Sequence, residues 1–385
     1  MIQRTVAEQK LNVLVKDVMR VSAIPLLFST WLELIQTTNT ELIRKCFSLV
    51  GLYVSWSDIN LVVTPDYLSV LYGCLGMEQC SEDAFACIGE IVLKGMLPND
   101  KIKLLNVINL SQILSLSVSA PITLSKAKFV NTVGFEMCCC YTNATIDTEK
   151  AQCFAILISV YENAGLILGF ETGVQSDQEI CAALLPFISA YLLILKKNVR
   201  TRTGMSLTNI NLSMLLQVLV KRSTYSEDEP YQPSSTTSPL NSIAGVPETE
   251  LDADLNNDFS FLEFRATIKS CMESIVAISE DIYESYILKF VTYIFSQIKS
   301  SKPDEFRWPN AELPLYLLYI YVEAKTVKAM NSGTVEPFKN SSPYEDAAGK
   351  TNLSLMITKM IESGKKTNYY RNIFPFSQGC NIHIL

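Results

Sequence analysis

The most chemically suggestive stretch of this sequence is a run of basic side chains between residues 196 and 222, which contains no acidic residue. Lysine and arginine side chains bind nucleic-acid phosphates, and a row of them would give binding that depends strongly on salt. The same residues would also be favourable, by about 0.3–1 kcal/mol each, at the carboxyl ends of two predicted helices. Both interpretations stay open for these six residues, which are Lys196, Lys197, Arg200, Arg202, Lys221 and Arg222.

A second group of basic residues lies around the turn between two predicted helices near residue 98. It consists of Lys94, Lys101 and Lys103. We treat it as a weaker candidate for phosphate contacts.

The residue counts argue against an enzyme. The chain has one histidine, His383, at its very end, which excludes a Ser-His-Asp triad, a Cys-His pair and a histidine-ligated metal centre. Neither of the glycine-rich phosphate-binding motifs occurs. The 11 cysteines lack the spacing of zinc ligands, and we interpret them as small hydrophobic residues. Their odd number favours a reducing compartment. We therefore predict a non-enzyme without metal or cofactor.

Helices must position these cations, because helical periodicity runs through nearly the whole chain. The stripes Phe85–Ile88–Val92 and Leu313–Leu317–Ile320–Ala324 illustrate this spacing. Helix pairs of about 40 residues, without strand alternation, predict an all-α fold: a right-handed α-solenoid of HEAT-like helix pairs. The predicted helices are 5–20, 23–36, 40–55, 65–76, 82–95, 99–116, 125–142, 148–167, 177–196, 205–222, 259–278, 280–300, 310–330 and 350–363.

An acidic segment divides the predicted helices. Residues 223–258 hold eight acidic residues, four prolines and no Lys or Arg, so removing them from the net charge of −7 leaves +1. Such a composition is typical of disorder. The segment is either a flexible linker or a regulatory loop that competes with phosphate for a basic groove. The predicted organisation is repeats over 1–222, this insertion over 223–258, repeats over 259–363 and an irregular tail over 364–385.

No segment is expected to insert into a membrane. The strongly apolar run Ile180–Leu195 contains Pro186 and is shorter than the roughly 20 residues that a spanning helix needs. The N-terminal stretch is interrupted by Glu8 and Asp17 and lacks the apolar region of a signal peptide.

Three marker segments carry a family resemblance. Residues 44–59 read Arg-Lys-Cys-Phe-Ser-Leu-Val-Gly-Leu-Tyr-Val-Ser-Trp-Ser-Asp-Ile, residues 261–265 read Phe-Leu-Glu-Phe-Arg, and residues 308–319 read Trp-Pro-Asn-Ala-Glu-Leu-Pro-Leu-Tyr-Leu-Leu-Tyr, followed by Glu323-Ala324. In this order they resemble the exportin-T family in its fungal form, within the importin-β (karyopherin) superfamily. We expect Tyr53 and Trp56 of the first marker segment to hold two helices together by packing.

The resemblance implies a nuclear export receptor for tRNA. Such a receptor binds folded tRNA by shape and backbone together with Ran-GTP, contacts nuclear pore proteins and shuttles between nucleus and cytoplasm. The resemblance also implies an interior piece of a longer receptor, with Ran-GTP binding weak or absent because the family's N-terminal repeats form most of that surface.

Two alternatives remain open at this point. The chain could be a generic α-solenoid scaffold or protein-cargo adaptor without RNA binding. Trp31, Trp56 and Trp308 are expected to pack in the core, with base stacking as the alternative role.

Overall fold

The chain is all-α over the residues that its computed structural model describes, which are 6–170, 176–201, 211–225, 248–300, 308–332 and 356–358. In these ranges the backbone forms 13 long α-helices and one short 3₁₀ helix, with no β-strand. Residues 356–358 add a short helical piece. The predicted all-α fold is therefore confirmed.

The helices are numbered here in chain order. They are α1 (Val6–Ile35), α2 (Thr40–Val54), α3 (Pro65–Leu75), α4 (Ser81–Leu93), α5 (Pro98–Val107), α6 (Leu110–Ser117), α7 (Leu124–Asn143), α8 (Asp147–Gly169), α9 (Ser176–Thr201), α10 (Leu212–Arg222), α11 (Glu248–Ile278), α12 (Glu280–Ser300) and α13 (Trp308–Ser332), with the 3₁₀ helix Ile59–Leu61 between α2 and α3.

These helices group into two compact units, Met1–Ile194 and Leu195–Leu385, and the boundary lies within α9. In the first unit the main interfaces join α1 to α2, α2 to α4, α4 to α7 and α7 to α8. Each helix therefore packs on its near neighbours in the stack, which is the organisation of a HEAT-type helical solenoid.

Close helix approach in the first unit depends on a glycine of α7. A Cβ atom added at Gly134 would lie 2.3 Å from Cδ2 of Phe187 on α9. Beside it, the side-chain oxygen of Asn131 accepts a hydrogen bond of 2.9 Å from the backbone N–H of Phe187. Phe187 directly follows Pro186, which lies inside α9, so Asn131 supplies an acceptor where the proline disturbs the helical hydrogen bonds.

Two predicted helix boundaries were wrong in the first unit. The expected break near Pro25 is absent, because α1 continues from Val6 to Ile35 with Pro25 inside it. The stripe Ile24, Phe28, Trp31 and Ile35 is buried across that proline, and its burial stabilises the continuous helix. Conversely, the single helix expected over 99–116 is two helices, α5 and α6, separated at Asn109, whose φ of 44° lies in the left-handed region.

The second unit contains the end of α9 and α10 to α13. Its helix interfaces join α11, α12 and α13 to one another and α10 to both α11 and α12. Tyr283 and Tyr321 are fully buried between α12 and α13, with ring centroids 5.9 Å apart in a stacked arrangement. Next to them Lys325 forms a 2.8 Å ion pair with Glu280.

Helix α11 begins at Glu248, inside the predicted acidic insertion 223–258. Residues 226–247 and the whole predicted tail, 364–385, lie outside the described residues. The division of the chain into repeats, insertion and tail therefore stays a prediction.

Three helices are long and apolar enough to cross a membrane, judged by length and composition alone: Lys10–Ile35, Asp147–Gly169 and Asp177–Arg200. No membrane-spanning helix was predicted from the sequence. The most apolar windows of the second and third helices are 44% and 56% buried within the protein, against 22% for the first. Packing in the core thus accounts for much of the apolar character of α8 and α9.

Candidate nucleic-acid interface

Three of the predicted phosphate-binding residues lie in the last two turns of α9. Lys196 is partly buried, whereas Lys197 and Arg200 are exposed. Arg200 belongs to the final helical turn, which ends at Thr201. Arg202 lies outside the described residues. These positions satisfy the preference for cations at a helix carboxyl end and also leave charged groups at the surface.

Lys221 and Arg222 form the last turn of α10. The buried face of this helix, which includes Leu215, Leu216 and Leu219, fixes how the helix is rotated. Lys221 therefore lies on the exposed side together with Ser213 and Gln217, each one helical turn from the next. Both groups of cations belong to the second unit.

The structure removes Lys101 from the predicted phosphate-binding set. Its side chain is 1% exposed, and its ammonium group donates hydrogen bonds to the backbone carbonyls of Val92 and Lys94 at the carboxyl end of α4. The carboxylate of Glu136 on α7 lies 3.0 Å from the same nitrogen. A lysine buried in this cage has no donor left for an RNA phosphate.

Lys94 also joins helices rather than facing solvent with a free ammonium group. Its Nζ donates to the carbonyl oxygens of Val54 (2.9 Å), Ser55 (3.3 Å) and Ser57 (2.6 Å), at the carboxyl end of α2. Desolvation by burial lowers the pKa of this lysine. Lys103 alone of the three is exposed, and it forms a 3.3 Å ion pair with Asp100 one turn earlier.

Lys126 repeats the pattern, and sequence reasoning missed it. Its Nζ donates to the carbonyl oxygens of Ser119 (2.8 Å) and Pro121 (2.9 Å), and it lies 5.8 Å from the centre of the Phe85 ring. Lys126 and Lys101 are the third and fourth residues of α7 and α5. Because a cation is unfavourable in the first turn of a helix, a lysine at that position is a sequence signal for a specific partner.

The first marker segment, residues 44–59, acts through aromatic packing, as predicted. The rings of Trp31, Tyr53 and Trp56 form a chain with centroid separations of 5.4 Å at both steps. Arg20 on α1 donates from Nε to the carbonyl oxygen of Trp56 at 3.0 Å. These contacts join α1 to the end of α2, so the markers Tyr53 and Trp56 are structural residues.

The second and third marker segments meet at a buried charge pair in the second unit. Arg265 on α11 holds both carboxylate oxygens of Glu312 on α13, at 2.9 and 2.7 Å. Its guanidinium carbon lies 4.5 Å from the ring centre of Tyr225 and 3.8 Å from that of Tyr316. A planar cation stacked between two aromatic faces is a geometry that arginine forms and lysine cannot.

The cysteines behave as small hydrophobic residues. Nine of the ten that the structure describes are buried, and Cys139 is the exposed one. Burial raises the pKa of the Cys87 thiol to about 12 and that of Cys74 to about 11. Within the described residues, no three His, Cys, Asp or Glu side chains are grouped so that they could hold a metal ion.

Comparisons with known proteins agree with the marker segments. A family model described as Exportin-T matches residues 175–374, and one described as Exportin 1-like protein matches residues 1–88. Exportin-T of Homo sapiens is 25% identical over 334 residues, which are 84% of this chain and 31% of that protein. Exportin-T of Botryotinia fuckeliana is 24% identical over 388 residues, covering 94% of this chain and 34% of that protein.

The chain thus spans about a third of the length of these curated relatives. Exportin-T of the yeast Vanderwaltozyma polyspora is 32% identical over 209 residues, which are half of this chain. A solved structure of an engineered protein aligns at 11% identity with a TM-score of 0.27, which is too low to bear on the fold. Because the Exportin-T family model covers just over half of the sequence, including the second and third marker segments, this chain belongs to the exportin-T family.

Proposed function

We propose that this chain acts in nuclear export of tRNA, as the part of a receptor that holds folded tRNA by its shape and phosphate backbone. Membership of the exportin-T family is the observation that carries this proposal. Shape recognition of folded RNA depends on contacts to phosphates and 2′-hydroxyls, for which exposed lysine and arginine side chains are suited.

The carboxyl ends of α9 and α10 are the proposed phosphate-binding surface. Lys197, Arg200 and Lys221 are exposed there, with Lys196 and Arg222 partly exposed beside them. The stretch 196–222 has no acidic residue, so no like-charged carboxylate on it would repel RNA. We keep Arg202 in the proposed set on the strength of its sequence position.

The proposal extends to the partners of such a receptor. In a whole receptor, Ran-GTP and tRNA would each favour the same state of the helical stack, so each would raise the affinity of the other. For this chain alone we propose weak or absent Ran-GTP binding. Contacts with nuclear pore proteins would carry the complex between nucleus and cytoplasm.

The salt dependence of tRNA binding tests the proposal. Fluorescence anisotropy with a labelled tRNA should show log K falling steeply with log salt for the unmodified protein. The paired variants K197E/R200E and K221E/R222E should each weaken binding and reduce the magnitude of the slope by about one for every phosphate that the variant no longer binds.

Lys103→Glu is the matched control. Lys103 was a weaker candidate from the sequence, but it pairs with Asp100 on α5 of the first unit, and we leave it out of the proposed surface. It should leave both affinity and slope unchanged. A protein without tRNA affinity at low salt contradicts the proposal and favours the scaffold or protein-cargo alternative. If the salt dependence is unchanged in both paired variants, these cations only stabilise the carboxyl ends of their helices.

A further inference from the structure

We propose that a groove between α10 and α12 binds unpaired nucleotides of RNA, with bases stacked on α12 tyrosines and phosphates held by lysines at the rim. The inference rests on the proposed function and adds a second kind of contact to it. The groove lies wholly within the second unit and has a volume of about 600 Å³. Its main lining residues are Ser213, Gln217, Tyr286, Lys289, Phe290 and Tyr293.

The α12 side of the groove presents aromatic faces. The Tyr286 and Phe290 rings are nearly parallel, at 10° with centroids 6.0 Å apart, and both are partly buried. Tyr293, one turn further along, is 60% exposed. An exposed ring next to ordered rings offers a stacking face for any base, because every base has a π-face of its own.

The two ends of the groove carry opposite charges along α12. Lys289 is exposed and makes no ion pair with the residues that the structure describes. Lys221 lies on the same exposed side of α10 as Ser213 and Gln217. Asp281 lines the groove at the amino end of α12, two turns before Lys289. A phosphate in the groove is thus attracted towards Lys289 and repelled from the Asp281 end.

The polar side of the groove favours a nucleobase over an apolar peptide. Ser213 and Gln217 offer hydroxyl and amide groups that can donate to and accept from a base edge. An apolar helix or strand laid in the same groove would bury these groups without partners, which is unfavourable.

Binding of a short unstructured oligouridylate, compared with folded tRNA, tests the inference. Tyr293→Ala should weaken oligouridylate binding by at least about fivefold, the lower end of the contribution of one stacked base. Tyr293→Phe keeps the ring and should change the affinity little. Tyr319→Ala is the matched control, since Tyr319 is a 54% exposed tyrosine on α13 of the same unit that does not line the groove.

Photocrosslinking gives a second readout that does not depend on a variant folding. An oligouridylate carrying 5-iodouridine should crosslink to the peptide that contains Tyr286 and Tyr293, and mass spectrometry identifies the residue. Crosslinks confined to other peptides overturn the inference, even if Tyr293→Ala lowers affinity.

The remaining outcomes separate the inference from the proposed function. If K221E/R222E weakens tRNA binding while Tyr293→Ala leaves the affinity for oligouridylate unchanged, the groove inference fails and the proposed function stands. If neither RNA binds the unmodified protein, both fail. Excess uridine monophosphate should displace the oligouridylate. If a phenylalanine-containing hexapeptide binds instead of RNA, the groove is a peptide site and the inference is overturned.

Discussion

Basic residues near helix ends are used differently in the two units of this protein. In the first unit, Lys94, Lys101 and Lys126 direct their ammonium groups at backbone carbonyls where a helix or turn ends. In the second unit, Lys197, Arg200 and Lys221 occupy the carboxyl ends of their own helices and are exposed. Lys101 and Lys126 lie in the first turns of α5 and α7, where a cation is unfavourable without a specific partner, whereas Lys94 follows the last residue of α4.

The second unit has structural cations too, which sharpens the contrast. Arg265, Lys269 and Lys325 pair with carboxylates on neighbouring helices, at distances between 2.6 and 2.8 Å. In the first unit the three lysines contact backbone carbonyls, while Arg44 pairs with Asp83 across α2 and α4 at 2.6 Å. In the second unit the three cations pair with carboxylates beside tyrosine rings.

The largest effect is expected for Lys101→Met. Removing this ammonium group leaves the carbonyls of Val92 and Lys94 without their donor and the Glu136 carboxylate without its counter-charge. We expect the free energy of unfolding to fall by about 3–5 kcal/mol, as when one partner of a buried ion pair is removed. Urea denaturation followed by circular dichroism measures this change.

Lys103→Met is the matched control for Lys101→Met. It removes an exposed lysine two residues away and should change stability by no more than about 0.5 kcal/mol. Equal effects of the two substitutions would show that the first unit does not depend on the buried lysine, and the contrast between the units would then disappear.

A smaller loss of stability is expected for Arg265→Lys in the second unit. Lysine keeps the charge but lacks the planar guanidinium that stacks between Tyr225 and Tyr316. The free energy of unfolding should fall by about 1.5–3 kcal/mol. The adjacent exposed position Glu263 provides the comparison, because Glu263→Gln should be nearly neutral; a neutral Arg265→Lys would mean that charge alone matters at this site.

Lys94→Met should have the smallest effect of the three. Its ammonium group stabilises the carboxyl end of α2 by hydrogen bonds to three carbonyls, but it is only partly buried, so water can replace it. A fall of about 0.5–1.5 kcal/mol in the free energy of unfolding is expected in the same denaturation assay. A fall as large as that for Lys101→Met would contradict this prediction, because Lys94 would then stabilise the fold as strongly as the fully buried Lys101.

The sequence predicted the helices well and the rotation of some of them poorly. In α2 the spacing of Leu42, Cys46, Leu49 and Tyr53 predicts one buried stripe. Leu49 is nevertheless 38% exposed, and the buried face runs through Cys46, Phe47 and Val50. Apolar residues occur on more than one side of this helix, so periodicity alone could not select the face that packs on α4. The stripe Phe85, Ile88 and Val92 of α4 was buried as predicted.

The candidate interface, too, could be predicted from the sequence only in part. The six cations of 196–222 could be found by charge alone, and their helix-end positions followed from the predicted helices. The burial of Lys101 could not be found in this way, because it depends on α7 bringing Glu136 to the end of α4, a contact 35 residues away in sequence. Its place in the first turn of α5 was the one local sign of a structural role.

Lysine labelling with and without tRNA tests the contrast between the units most directly. An amine-reactive reagent, followed by mass spectrometry, should modify Lys103, Lys197 and Lys221 in the native protein while Lys101 and Lys126 react far more slowly, since they require local opening. Addition of tRNA should protect Lys197 and Lys221 and leave Lys103 unchanged. Protection of Lys103, or none at Lys197 and Lys221, would contradict the assignment of RNA binding to the carboxyl ends of α9 and α10.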